Sequence, residues 1–209
     1  MSGLPDYIAA FTTLFVIIDP IGLTPLFVAL TQGMPDRRRR AIGLRAAVLA
    51  AVLLTLFALF GEALLEFAGI SMPAFRIAGG VLLFLTALDM LFERRQSRRE
   101  GTAEASEEDH SDDPSVFPLA IPLLAGPGAI ATMILLTGQS DGPGEFAGVI
   151  GVMLAVLLIA LALFMVAGPI ERLLGKTGVN VVTRLLGMLL AALSVQFILD
   201  GLRTFGLAS

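Results

Sequence analysis

The chain has no cysteine, no tryptophan, one histidine and one tyrosine in 209 residues. Without cysteine there is no disulfide framework and no thiolate nucleophile. The single histidine, His110, sits among Glu107, Glu108, Asp109, Asp112 and Asp113, where it reads as a solvated loop residue, so neither a metal nor a cofactor is expected. Charge is scarce as well: 15% of residues are charged, against about a quarter in soluble domains. The net charge of −4 excludes the basic footprint of a nucleic-acid-binding protein. No Walker-type nucleotide-binding loop and no Gly-x-Ser-x-Gly elbow is expected, and Asp19 with Asp89 makes a poor aspartyl pair. The chain is therefore read as a non-enzyme.

What fills the sequence instead is apolar: 56% of residues are hydrophobic and the mean hydropathy is +0.87. Pro114 to Ser140 and Phe146 to Ile170 carry no charge at all. Blocks of this kind match the roughly 20 residues that a helix needs to cross a bilayer. They predict an all-α polytopic membrane protein with six transmembrane helices, at residues 7 to 30, 41 to 67, 72 to 92, 115 to 138, 144 to 171 and 179 to 204. The first block lacks a basic leader and a small-residue cleavage pattern, so it is expected to stay as the first span.

Basic residues fall on alternate sides very unequally. Arg37 to Arg40, Arg45, Arg94, Arg95, Arg98, Arg99, Arg172, Lys176 and Arg184 share one side, leaving only Arg76 and Arg203 for the other. The richer side is expected in the cytoplasm. Both termini then face outward, which in a bacterial inner membrane means the periplasm.

The order of features repeats. An offset of 107 residues sets Asp19-Pro20 on Gly126-Pro127, Gln32 on Gln139 and Gly61 on Gly168. One further residue sets Arg76-Ile77-Ala78-Gly79 on Arg184-Leu185-Leu186-Gly187 and Thr86 on Ser194. Three spans is an odd number, so a second copy enters the membrane from the opposite side. The expected organisation is a 3+3 inverted repeat: residues 1–92, a polar cytoplasmic linker at 93–114, and residues 115–209.

Asp19-Pro20-Ile21-Gly22-Leu23-Thr24-Pro25 and Ala125-Gly126-Pro127-Gly128-Ala129 lie in mid-span and should break helices one and four. Asp and Gly are both accepted as N-caps and Pro is favoured at the first helical position. Asp19 can cap with its own carboxylate, whereas Gly126 would leave the amides of Gly128, Ala129 and Ile130 open to an anion. Asp19 opposite those amides is a cradle for a zwitterion, and the small residues Gly22, Gly126, Gly128 and Ala129 suggest room for a small solute. Pro20 and Pro127 start the half-helices, while Thr24, Thr132 and Gln196 are candidate lining residues. Asp19 is the candidate for proton or cation coupling. The competing reading is that these Pro and Gly residues only kink and pack helices.

The chain resembles MarC family integral membrane proteins. The resemblance is carried by Asp19-Pro20-Ile21-Gly22 to Pro25, by Phe117-Pro118-Leu119-Ala120-Ile121-Pro122-Leu123-Leu124-Ala125-Gly126-Pro127-Gly128-Ala129-Ile130, and by Arg184-Leu185-Leu186-Gly187 to Gln196-Phe197. It implies a six-span inner-membrane protein, and some relatives transport small neutral amino acids such as glycine and alanine. Leu23 departs from the polar residue, often Asn, that the resemblance leads one to expect. The expectation is thus a secondary transporter embedded in the lipid bilayer, carrying a small zwitterion. The alternatives are a non-transporting membrane scaffold or assembly partner and, third, an intramembrane enzyme.

Overall fold

The computed structural model describes residues 3–92, 94 and 113–206, and these are helical throughout with no strand. Helix α1 (Leu4–Ile18) is followed at once by α2 (Pro20–Leu30), then by α3 (Asp36–Phe67) and α4 (Met72–Leu91). Beyond residue 113 come a wide-wound segment (Ser115–Leu124), α5 (Pro127–Thr137), α6 (Pro143–Met165) and α7 (Ala167–Thr204). Five stretches are long and apolar enough to span a bilayer: Leu4–Leu30, α3, α4, α6 and Thr177–Thr204. A sixth arises if the wide-wound segment and α5, which meet at 55°, count as one.

The boundaries have local causes. Ser71 caps α4 by accepting from the Ala74 amide at 3.4 Å, and Gly69, at φ 71°, closes α3. At about 1.5 Å per residue the 32 residues of α3 reach about 48 Å, more than the roughly 30 Å hydrocarbon layer. Its arginine-rich first turns can therefore stand outside the apolar layer. The expected fifth span, to residue 171, is corrected: α6 ends at Met165, where Val166 leaves helical geometry ahead of Gly168-Pro169. Within α7, Gly175 (φ 58°, ψ 177°) makes a sharp kink. The sequence there, Gly175-Lys176-Thr177, does match the last three positions of a Walker loop, but Ile170 stands where that loop needs its first glycine.

The helices are inside-out relative to a soluble bundle. On α3, Leu44, Val48, Val52, Leu56 and Phe60 recur every four residues and are exposed, while Ala46, Ala50, Ala58 and Gly61 face the interior. Lipid removes the hydrophobic incentive to bury large side chains, and small residues allow close backbone approach. The tightest pair is α4 with α7: a Cβ on Gly80 would lie 2.9 Å from the Ser194 carbonyl oxygen, and one on Gly201 would lie 3.1 Å from that of Pro73.

The two parts of the chain are interleaved. Helix α3 packs on Ser115–Leu124, α5 and α6, and touches α4 only slightly. Helices α1 and α2 pack on α6 and α7, and α4 packs on α5 and α7. The core is built between residues 3–92 and 113–206. Of the connector, residue 93 and residues 95–112, including His110, lie outside the described residues. Asp113 is anchored: its carboxylate accepts from the Ser115 amide and hydroxyl and pairs with Arg45 at 3.0 Å. These hydrogen bonds, led by the Ser115 hydroxyl, hold its pKa below the usual carboxylate value, against a smaller opposing effect of burial.

Candidate functional site

Asp19 is the single residue between α1 and α2, with φ 55° and ψ 63°, a left-handed conformation that Asp tolerates better than most side chains. Its amide closes α1 on the Phe15 carbonyl at 2.9 Å. Its own carbonyl then opens α2 by accepting from Leu23 at 3.0 Å, and its carboxylate accepts from the Gly22 amide at 3.1 Å. Pro20 occupies the first helical position, where its missing N–H costs nothing. The carboxylate is completely buried. Thr24, also buried, donates its hydroxyl to the Pro20 carbonyl at 2.9 Å, so it is engaged by its own helix.

The second break is built differently. In Ser115–Leu124 the residues before Pro118 and Pro122 are extended and the two prolines follow cis bonds. Bonds five residues apart, Leu119 N–H to Pro114 O and Ala125 N–H to Ala120 O, tie in part of this backbone. Gly126 then turns the chain into α5, with Pro127 at its first position and Ile130 donating to the Gly126 carbonyl at 3.0 Å. No side chain caps this helix. The amides of Gly128 and Ala129, in the first turn, have no intrahelical acceptor by construction.

Thr132 sits one turn further on and is fully buried, yet its hydroxyl has no hydrogen-bond partner. Thr13, Thr24, Thr31, Thr86 and Thr137 each return the hydroxyl to the carbonyl four residues back. Residues four apart share a helix face, so Thr132 stands one turn after Gly128 on the same side of α5. A buried hydroxyl left without a partner costs about 1–3 kcal/mol.

The breaks approach each other through Ile17 and Gly128: a Cβ on Gly128 would lie 3.2 Å from Ile17 Cγ2 and 3.4 Å from Leu83 Cδ2. This corrects the idea that the glycines leave empty room. The space beside Gly22 is taken by the Asp19 carboxylate, that beside Gly126 by the Pro122 carbonyl, and that beside Gly128 by Ile17 and Leu83. Ala129 is buried and Ile130 half-buried against the same core.

Gln196 is not part of this group. It is exposed on α7 and donates to Asp200 at 2.8 Å. Both line a cavity of about 240 Å³ with Asp6 and Thr13 of α1 and with Gln139 just past α5. Thr13 lies six residues before Asp19, about 9 Å along the helix. The cavity therefore occupies the end of the bundle where α1 begins and α5 and α7 finish. Asp6 and Asp200 escaped the sequence reading; the signal available was the four-residue spacing of Gln196 and Asp200, which puts them on one helix face. Among the described residues no cluster of three metal-ligating side chains is present.

Comparisons with known proteins agree with the apolar, all-helical architecture. The chain is 40% identical over 207 residues to a UPF0056 membrane protein of Archaeoglobus fulgidus, covering 95% of this chain and 93% of that protein. It is 36% identical over 195 residues to the UPF0056 membrane protein YvbG of Bacillus subtilis, covering 92% of each. It is 34% identical over 202 residues to the UPF0056 membrane protein YhcE of Escherichia coli, covering 95% and 93% respectively. No solved structure matches the chain. The model of the MarC family integral membrane proteins matches residues 4–205, almost the whole length. The chain is thus an integral, multi-pass membrane protein of the MarC family.

Proposed function

We propose that this protein is a secondary transporter that carries a small neutral amino acid, or a similar small zwitterion, across the bacterial inner membrane. The observation that carries the reading is the unpartnered, fully buried Thr132 hydroxyl on α5, the helix whose first turn no side chain caps. Polar groups held dry and unsatisfied cost stability, and a solute carboxylate accepting from Thr132, Gly128 and Ala129 would recover it. Asp19, on the other side of the Ile17–Gly128 contact, would face the ammonium end and take part in proton or cation coupling.

The exchanged packing supports a 3+3 inverted repeat, residues 1–92 against 115–209 with 93–114 as linker. Helix α3 lies on the second broken span as α6 lies on the first, and α4 meets α5 as α7 meets α2. Rocking of one repeat on the other would part Ile17 and Leu83 from Gly128 and make the room that is filled in this conformation. The cavity at Asp6, Thr13 and Gln196 would be the vestibule, on the periplasmic side if the termini face outward.

The test is uptake of labelled glycine and alanine by purified protein in liposomes, with Thr132→Val, Gly128→Val and Asp19→Asn beside the wild type. Thr132→Val should make the empty protein more stable by about 1 kcal/mol or more while weakening uptake, because the hydroxyl serves the solute and not the fold. No uptake by the wild type would favour the scaffold alternative. Unchanged uptake in all three variants would move the site elsewhere.

A further inference from the structure

On the face opposite the vestibule, the Arg37 to Arg40 run is not uniform. Arg39 lies with its guanidinium over the Phe27 ring, 5.4 Å from the centroid, and Phe27 in turn stacks on Phe164 at 4.5 Å with 6° between the planes. Both rings are fully buried. The stack joins α2, α3 and α6 and fixes the plane of one cation. Stacking uses the face of a guanidinium and leaves its edge donors for an acceptor. Here Nε and Nη2 are out of contact with solvent and have no acceptor.

Beside the stack is a cavity of about 130 Å³ lined by Asp36, Arg39, Arg40, Phe164 and Met165. Asp36, Arg39 and Arg40 are spaced three and four residues apart, so they share one face of the first turns of α3. The Asp36 carboxylate offsets one of the two guanidinium charges, and the site remains a net cation. Next to it, Met165 and Val166 are exposed apolar residues at the end of α6.

From this the geometry points to a binding site for a phosphate group, held by the Arg39 and Arg40 guanidinium groups in the cavity between the start of α3 and the end of α6. A tetrahedral oxyanion in this cavity accepts charge-assisted hydrogen bonds from the two guanidinium groups, and a small turn of the Arg39 plane on its ring would bring the enclosed Nε and Nη2, which form a fork, to the same acceptor. The same group is offered by inorganic phosphate and by an anionic phospholipid headgroup whose chains run along Met165 and Val166. Neither source depends on the transport reading, because the site is on the other face of the molecule and shares none of its residues.

Purified full-length protein in a neutral detergent would be melted with inorganic phosphate in one arm. In the other arms it would be melted with phosphatidylglycerol, or with diacylglycerol as the phosphate-free lipid. Wild type, Arg39→Gln, Arg40→Gln and Arg39→Lys are compared. The expected result is stabilisation of the wild type by a phosphate-bearing ligand only, with at least roughly tenfold weaker apparent affinity in Arg39→Gln, since a charged hydrogen bond is worth about 1.5–3 kcal/mol. Arg39→Lys should also fail, because an ammonium lacks the fork. Arg40→Gln keeps the stacked Arg39 and serves as the folded control with partial loss. A response to inorganic phosphate assigns the free anion, and one to phosphatidylglycerol alone assigns the headgroup. Equal stabilisation by diacylglycerol, or the same response in all variants, would overturn the site.

Discussion

Gly22 and Asp19 are so closely matched that a Cβ on Gly22 would lie 2.2 Å from Asp19 Oδ2. The carboxylate that caps α2 occupies the place where the side chain of residue 22 would stand. Gly22→Ala must therefore push the carboxylate off the Gly22 amide. The expected cost is about 1–2 kcal/mol from the lost cap, read as a lower melting temperature in detergent. Asp19→Asn should melt close to wild type, because Asn caps as well as Asp and tolerates the left-handed conformation. If both variants melt alike, the cap does not hold this junction.

The glycines of the second break should differ sharply from each other. A Cβ on Gly126 would lie 2.5 Å from the Pro122 carbonyl oxygen, which is backbone and cannot retreat. A Cβ on Gly128 meets only the methyl ends of Ile17 and Leu83. Gly126→Ala should lower the amount of folded protein recovered from membranes, while Gly128→Ala should be recovered near wild-type level. Equal recovery would show that the chain before α5 can shift to make room.

Asp113 should give the protein an acid-sensitive joint. Its folded-state pKa is lowered below the ordinary 3.8, first by the Ser115 hydroxyl. A lowered carboxylate contributes its full stability above the unfolded value and loses it as pH falls through the folded value. The melting temperature of Asp113→Asn should thus lie below wild type at neutral pH and converge on it as the pH drops below about 4. The neutral-pH difference should be small, about 1 kcal/mol or less, because Arg45 is largely and Asp113 partly solvent-exposed. A gap that stays constant into acid would show that the substituted amide destabilises through packing and not through lost charge.

Orientation can be read with one thiol at a time, because the chain has no cysteine of its own. Gln32→Cys, before α3, and Asp141→Cys, between α5 and α6, are exposed positions at ends of the bundle expected to face opposite sides. A membrane-impermeant maleimide added to intact cells should label residue 141 and not residue 32. The reverse pattern would invert the orientation that the arginine distribution predicts.

The membrane class, the approximate places of the helices and the two mid-span interruptions are legible in the residues themselves. Bilayer thickness sets a length that an apolar run either reaches or does not, and proline and glycine act on the backbone within a few residues. Asp19 could thus be expected to cap the half-helix that begins at Pro20, since that bond spans only three positions. What the linear order could not reveal depends on contacts between distant segments. Only the packing of Ile17 on Gly128 fills the space beside the second break, and only the convergence of α1, α5 and α7 draws Gln196 away to Asp6 and Asp200. Only the stack of Arg39, Phe27 and Phe164, from three helices, singles out one arginine among four in a row. Tertiary structure decided these because in an apolar solvent nearly every face of every helix is hydrophobic. Which faces meet is then set by small residues, shape and unsatisfied polar groups, and not by a pattern of apolar and polar positions along the chain.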